Sequence, residues 1–97
     1  AVFAFNDRCA LGVMDVLIRA GVTVPQQISL LGFDDSPLAG LAHIQLSTIR
    51  QDAAALADAA VSRVVSRLDG DGAGGAPTDI VRTPTLVVRG STAARKA

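Results

Sequence analysis

Two pairs of polar residues could contact a small hydroxylated ligand, because each pair directly follows a short apolar run. The pairs are Asn6-Asp7 and Asp34-Asp35. A carboxylate accepts hydrogen bonds from two hydroxyl groups at once, whereas an asparagine amide both donates and accepts. Such groups suit a sugar or a nucleoside, so Asn6 and Asp34 are candidate ligand contacts. The structural alternative is a helix cap and an Asx turn, which we expect to be the main roles of Asp7 and Asp35.

The elements around these pairs predict where the side chains lie. Residues 1–5 and 28–33 are short apolar runs rich in β-forming residues, as in neighbouring buried parallel strands. The segment between them has helical periodicity, with Asn6 or Asp7 at its N-cap and Gly21 at its left-handed C-terminal position. The result is a β-α-β unit of the α/β class. Open sheets of this class bind small molecules at the carboxyl ends of their strands, which favours a receptor.

A second helix is predicted over residues 52–68, where apolar residues recur at i, i+3, i+4 and i+7. A short strand is predicted before it, at residues 46–50. Extended stretches at 80–83 and 85–89 are separated by a proline, which cannot donate within a sheet. Residues 91–97 are expected to form a polar tail.

The composition limits the function of the chain. Its 97 residues suffice for one small domain, and nine basic residues balance nine acidic ones. Without a basic excess, the segment is not expected to bind nucleic acid by itself. One cysteine, Cys9, excludes an internal disulfide and a cysteine-based zinc site, and a buried, inert thiol is the expected state. No apolar stretch approaches the roughly 20 residues that span a bilayer.

No catalytic set, metal site or cofactor site is predicted. Ser36 lacks the G-x-S-x-G elbow of a nucleophile, and His43 is the single histidine. Gly70, Gly72 and Gly75 match the G-x-G-x-x-G spacing, but they follow a helix and precede a strand. A phosphate site requires the opposite order, so the glycines indicate a linker.

Four motifs, in this order and spacing, resemble the LacI/GalR family of transcriptional regulators over nearly the whole chain. The motifs are Asn6-Asp7 with Ala10-Leu11-Gly12, Leu31-Gly32-Phe33-Asp34-Asp35, Ser47-Thr48-Ile49-Arg50-Gln51-Asp52 and Leu86-Val87-Val88-Arg89-Gly90-Ser91-Thr92. The resemblance implies a partial periplasmic-binding-protein-like (type I) fold, with a parallel sheet flanked by helices. It also implies that residues 1–97 are a C-terminal fragment, about the last third, of such a regulator.

The family's two-subdomain effector domain divides the chain by resemblance. Residues 1–50 belong mainly to the C-terminal subdomain, and residues 51–83 contribute to the N-terminal subdomain. Residues 84–92 return to the C-terminal subdomain, and 93–97 form the tail.

The resemblance also implies roles for individual residues. Asn6 and Asp34 match positions that bond effector hydroxyls, and Gln51 matches a position beside the effector where the chain crosses between subdomains. Segments that the family uses for dimer contacts contain Leu11, Met14, Leu41 and Ile44.

The implied function is effector sensing and dimerisation within a DNA-binding transcriptional regulator that is cytoplasmic and not an enzyme. The effector would be a small molecule, a sugar or a related compound. DNA would be bound only through an N-terminal domain that these residues do not include. The uncovered apolar stripe of residues 53–68 predicts a homodimer or higher self-association, with a possible helix swap. The alternatives are a fragment of a periplasmic sugar-binding transport protein and, without supporting residues, an α/β enzyme fragment.

Overall fold

The computed structural model describes residues 1–70 and 79–96, which form two compact units. The first unit comprises Ala1–Arg50 and Pro84–Ala97, and the second comprises Gln51–Thr83.

The first unit contains a four-stranded sheet in the order β1-β2-β3-β4. Its strands are β1 (Val2–Phe3), β2 (Leu30–Phe33), β3 (Ser47–Arg50) and β4 (Thr85–Val87). The first three strands are parallel, as predicted, but β4 pairs with β3 in the antiparallel direction. The expectation of a parallel sheet is therefore corrected for the edge strand β4. A three-residue strand carries no sequence periodicity that reveals its direction.

The helix α1 (Asp7–Arg19) connects β1 to β2 and completes the predicted β-α-β unit. Of the two predicted capping residues, Asn6 is the cap, because its Oδ1 accepts the Cys9 N–H at 2.8 Å. The helix ends where predicted, with Gly21 in the left-handed region at a φ of 72°.

The core of the first unit lies between α1 and one face of the sheet, and it is built from small and medium apolar side chains. A short 3₁₀ helix, Pro37–Gly40, contributes one of them. The buried apolar residues are Ala4, Ala10, Met14, Leu30, Ala39 and Leu46. Close packing of such small side chains leaves little space between helix and sheet.

That close approach explains Gly32 in the middle of β2. A Cβ on Gly32 would overlap the Asp7 carboxylate and lie 2.9 Å from Cδ2 of Leu46. Glycine is needed here for space, because the buried carboxylate lies directly on the strand.

The predicted polar tail of residues 91–97 begins with a residue that is part of the folded unit. Ser91 is 2% exposed. Its Oγ donates to the Leu30 carbonyl at 2.6 Å and accepts the Ser47 N–H at 2.8 Å. Ser91 therefore bridges β2 and β3, and its polar group is buried because both hydrogen-bonding functions are satisfied.

The second unit contains α2 (Ala53–Leu68), which confirms the predicted helix. Asp52 caps it by accepting the Ala55 N–H at 3.0 Å. Within residues 1–70 and 79–96, none of the α2 side chains is buried, and Val61, Val64 and Leu68 are more than half exposed. The predicted extended stretch at 80–83 forms no strand, and most of the glycine linker, residues 71–78, lies outside the described residues. In the described ranges, no helix has the length and apolar character to cross a membrane.

Substitution of Gly32 tests the packing of the carboxylate against β2. We expect Gly32→Ala to lower the free energy of unfolding by roughly 1–3 kcal/mol in urea titrations, because the added methyl group overpacks the core. Gly12→Ala is the matched control, since a Cβ there would meet no described atom within 4 Å. This exposed helical change should raise stability by about 0.5–1 kcal/mol. Equal changes in unfolding free energy for the two substitutions would contradict the close packing of Asp7 against Gly32.

Candidate ligand site at the carboxyl edge of the sheet

The predicted contacts Asn6 and Asp34 lie at the same edge of the first unit. The register pairs Phe3 with Leu31, and the same register continued past the strand ends brings Asn6 level with Asp34. A parallel pair of strands thus delivers both side chains to its carboxyl edge, where open sheets bind ligands.

Asp7 holds these strand ends together. Its side chain is almost fully buried at 1% exposure. One carboxylate oxygen accepts the Ser36 N–H, and the other accepts the Thr48 hydroxyl, both at 2.6 Å. Asp7 therefore has a structural role, as expected, but it joins the start of α1 to the turn after β2 and to β3.

Asn6 has a donor oriented by its capping role. Because Oδ1 accepts the Cys9 N–H, the same side chain can offer a ligand its Nδ2 hydrogens. The Asn6 residue is only partly buried, so a ligand at the sheet edge can reach it.

Asp34 has an exposed side chain on a constrained backbone. Its φ is 112°, a conformation that residues other than glycine rarely adopt. Its N–H donates to the Ile49 carbonyl at 2.9 Å, so the residue stays attached to β3. With Asn6 as donor and Asp34 as acceptor, the edge matches a hydroxyl-bearing molecule.

Asp35 carries the second carboxylate of the pair and is held by two arginines. Arg50 Nε and Arg89 Nη2 each donate to it at 2.7 Å, and its side chain is 9% exposed. Burial raises the pKa of Asp35, but the hydrogen bonds and charges of the two guanidinium groups outweigh burial and hold the pKa below its usual 3.8. The expected Asx turn is thus replaced by ion pairs.

Sequence reasoning missed this arginine pairing. Arg50 ends β3, and Arg89 follows the apolar residues of β4. An arginine placed next to a buried strand signals a paired guanidinium, but the sequence does not identify its carboxylate partner.

Gln51 is the first residue of the second unit, directly after Arg50, and it is exposed. Its role beside an effector stays a prediction.

The four residues assigned to dimer contacts differ in exposure. Leu11 is half-buried and Leu41 is exposed, whereas Met14 is 7% exposed in the core and Ile44 packs against the core. Met14 and Ile44 also line a groove of about 400 Å³, together with the exposed His43. The groove has an apolar floor because core residues reach the surface there.

Other polar groups give no second candidate site. In the part of the chain that the structure describes, no group of three histidine, cysteine or acidic residues could hold a metal ion. Cys9 is exposed, which corrects the expectation of a buried thiol. Its position in the first turn of α1 places the side chain on the solvent side of the helix.

Comparison with known sequences places this geometry in a family. Residues 1–92 match the family described as periplasmic binding protein-like domain. The chain is 38% identical to the HTH-type transcriptional regulator MalR of Streptomyces coelicolor, over 96% of this chain and 26% of that protein. It is 39% identical to GalS of Salmonella typhimurium, over 99% of this chain and 28% of that protein.

Comparison with solved structures leads to the same family. A LacI transcriptional regulator from Rhodococcus superposes with a TM-score of 0.84 at 47% identity, covering 94% of this chain and 32% of that one. A LacI family regulator from Arthrobacter sp. FB24, in complex with lactose, gives a TM-score of 0.79 at 36% identity, over 94% and 34% of the two chains. The chain belongs to the periplasmic binding protein-like family, in the LacI type of that effector domain. It spans about a quarter of the length of these curated relatives.

The ion pairs of Asp35 make the stability of the chain acid-sensitive. A carboxyl whose pKa is lowered by folding stabilises the folded state above its unfolded pKa, and this contribution is lost as the pH falls through the folded pKa. We expect Asp35→Asn to cost about 2–3 kcal/mol of unfolding free energy at neutral pH. This difference should begin to shrink below about pH 4, where the unfolded carboxyl takes up a proton, and should be lost as the pH falls through the lower pKa of the folded carboxyl.

Asp15→Asn is the control for this measurement, because the Asp15–Arg19 pair is largely solvent-exposed. Its effect should stay within about 1 kcal/mol in urea unfolding at every pH. A difference between wild type and Asp35→Asn that does not change with pH would contradict the ionised pairing of Asp35.

Proposed function

We propose that this chain is the effector-sensing and dimerisation part of a cytoplasmic, DNA-binding transcriptional regulator, and that its effector is a sugar. The observation that carries the proposal is the shared edge at which Asn6 can donate and Asp34 can accept hydrogen bonds. Sugar hydroxyls require both functions. The transport alternative has less support, because the curated relatives cited above are transcriptional regulators.

The sugars found with structural relatives support the choice of ligand. LacI-type proteins from Arthrobacter sp. FB24 and Lactobacillus casei were solved with lactose and sucrose, and one from Alkaliphilus metalliredigens with D-xylulofuranose. Each aligns with more than nine-tenths of this chain. We propose a carbohydrate effector on this basis, and no enzymatic activity.

The proposed mechanism is the closure of two subdomains on the sugar. Residues 1–50 and 84–92 would belong to the C-terminal subdomain, residues 51–83 would contribute to the N-terminal subdomain, and residues 93–97 would form a tail. Asn6 and Asp34 would bind the sugar from one subdomain, and Gln51 would contact it at the crossover. Bound sugar would favour one relative orientation of the subdomains.

Dimerisation would transmit that orientation to DNA-reading domains elsewhere in the regulator. We propose that Leu11, Met14, Leu41 and Ile44 lie in the segments that contact a second subunit. Among them, Leu41 offers the most exposed apolar surface, whereas Met14 would contribute through the groove that it lines. A coupling free energy of about 1–3 kcal/mol between sugar and DNA sites is typical of such linkage.

Substitution of Asp34 tests the sugar site. In the regulator that carries these residues, we expect Asp34→Asn to weaken sugar binding by about 1–2 kcal/mol, because a charged acceptor is replaced by a neutral amide oxygen. Asparagine has nearly the same shape as the aspartate that already adopts this φ, so the backbone should be retained. Isothermal titration calorimetry with lactose, sucrose, D-xylulose and cellobiose, the last of which was solved in complex with the regulator CelR, provides the measurement.

The matched control is Asp58→Asn, which removes an exposed carboxylate from α2 and should leave the affinity unchanged. Equal affinities of the wild type and Asp34→Asn would remove Asp34 from the site. If the wild type bound none of these sugars, the proposed effector class would be wrong.

Self-association of the 97-residue chain is a separate expectation, because α2 exposes an apolar face. Sedimentation velocity should show species larger than a monomer as the concentration rises. Val64→Lys should shift the chain towards the monomer, whereas Ser62→Lys should not, since Ser62 is polar and already exposed on the same helix. A wild-type chain that stays monomeric at high concentration would contradict both a dimer and a helix swap.

A further inference from the structure

We infer that Arg89, with Arg50, is a positioning residue for sugar binding: through Asp35 it holds the carboxylate of Asp34 at the sheet edge. Asp35, Arg50 and Arg89 are here called the arginine clamp. The inference deepens the proposed function and rests on the proposed contact between Asp34 and a sugar. None of the clamp residues needs to touch the sugar.

The turn after β2 requires a restraint because two consecutive residues have a positive φ. Asp34 has a φ of 112° and Asp35 a φ of 53°, and neither is glycine. Such conformations persist only where the surroundings hold them, and they concentrate at functional sites. Among the described residues other than glycine, a positive φ occurs at the residue proposed to bind the sugar, at its neighbour and at Gln45, and only the first two are consecutive.

The restraint acts mainly on Asp35. Its N–H donates to the Thr48 hydroxyl at 3.3 Å, and its two carboxylate oxygens accept from Arg50 and Arg89. Backbone and side chain are therefore both fixed to the sheet. With Asp35 turned inward, Asp34 is the carboxylate of the pair that lies exposed at the edge.

Arg89 is the stronger half of the clamp. Its guanidinium donates through Nη2 to Asp35 and through Nη1 to the Leu46 carbonyl at 2.9 Å. Its side chain is 18% exposed, compared with 53% for Arg50. A planar guanidinium can bridge two acceptors at once, whereas a lysine ammonium on a flexible stem holds this geometry less well.

The arginine clamp also weakens the electrostatic repulsion between the two neighbouring carboxylates. Ionised side chains of adjacent residues repel one another, and the two guanidinium groups compensate the charge of Asp35. Loss of Arg89 would leave Asp35 with one half-exposed partner. The turn could then relax, and the Asp34 carboxylate would no longer be held for the ligand.

The first test measures the turn without any sugar. Amide hydrogen exchange of the 97-residue chain compares two amides. The Asp34 N–H donates to the Ile49 carbonyl, and the Val22 N–H, just after α1, donates to the Leu17 carbonyl. Arg89→Met should speed exchange at Asp34 by about tenfold or more and leave Val22 unchanged, because local opening affects only nearby amides. Equal acceleration at both amides, or none at Asp34, would overturn the inference.

The second test measures sugar affinity in the regulator, with the same four sugars. Arg89→Met is expected to weaken binding about tenfold, and Arg89→Lys less, because charge is retained but bridging is lost. Arg19→Met, which removes an exposed arginine, is the control. In an Asp34→Asn background the Arg89→Met effect should disappear, since residues that act through one contact are not additive.

The outcomes separate the two proposals. If Asp34→Asn weakens binding but Arg89→Met does not, or if their effects add, the positioning role is wrong and the sugar site stands. If Asp34→Asn has no effect, the proposed sugar contact fails, while the exchange experiment still tests the clamp. Should Arg89→Met fail to fold, Arg50→Met replaces it under the same criteria, because its side chain is half-exposed.

Discussion

The buried carboxylate of Asp7 is the interaction on which the edge of the sheet depends. It accepts hydrogen bonds from the turn after β2 and from β3, while its own backbone begins α1. A buried carboxylate is tolerated only when its oxygens are satisfied, so these three segments must meet at one point. Gly32 leaves the space for this meeting. The positions of Asn6 and Asp34 follow, because each is a direct chain neighbour of a residue in or beside this network.

Neighbouring polar residues divide structural and ligand roles at both strand ends. At the first, Asp7 is buried and Asn6 remains within reach of solvent; at the second, Asp35 is paired and Asp34 is exposed. In each pair one side chain is buried in contacts within the first unit, and its neighbour remains accessible, although Asn6 also caps α1. A preorganised site of this kind loses less conformational entropy when a ligand binds.

Local patterns predicted the elements, and long-range contacts explain what they missed. The helix α2 and the end of α1 at Gly21 follow from periodicity and capping chemistry within a few residues. The antiparallel direction of β4, the burial of Ser91 and the partners of Asp35 involve residues far apart in the chain; Arg89 is 54 positions from Asp35. The shared edge of Asn6 and Asp34 was predictable because parallel register fixes it. The arginine clamp was not predictable, since no local pattern pairs a carboxylate with a distant arginine.

The most direct measurement of the central claim is a crystal structure of the regulator that carries this chain, in complex with a bound sugar. The account predicts that Nδ2 of Asn6 and the carboxylate of Asp34 both lie within about 3.2 Å of hydroxyl oxygens on the same sugar molecule. A bound sugar that touches neither side chain would contradict it.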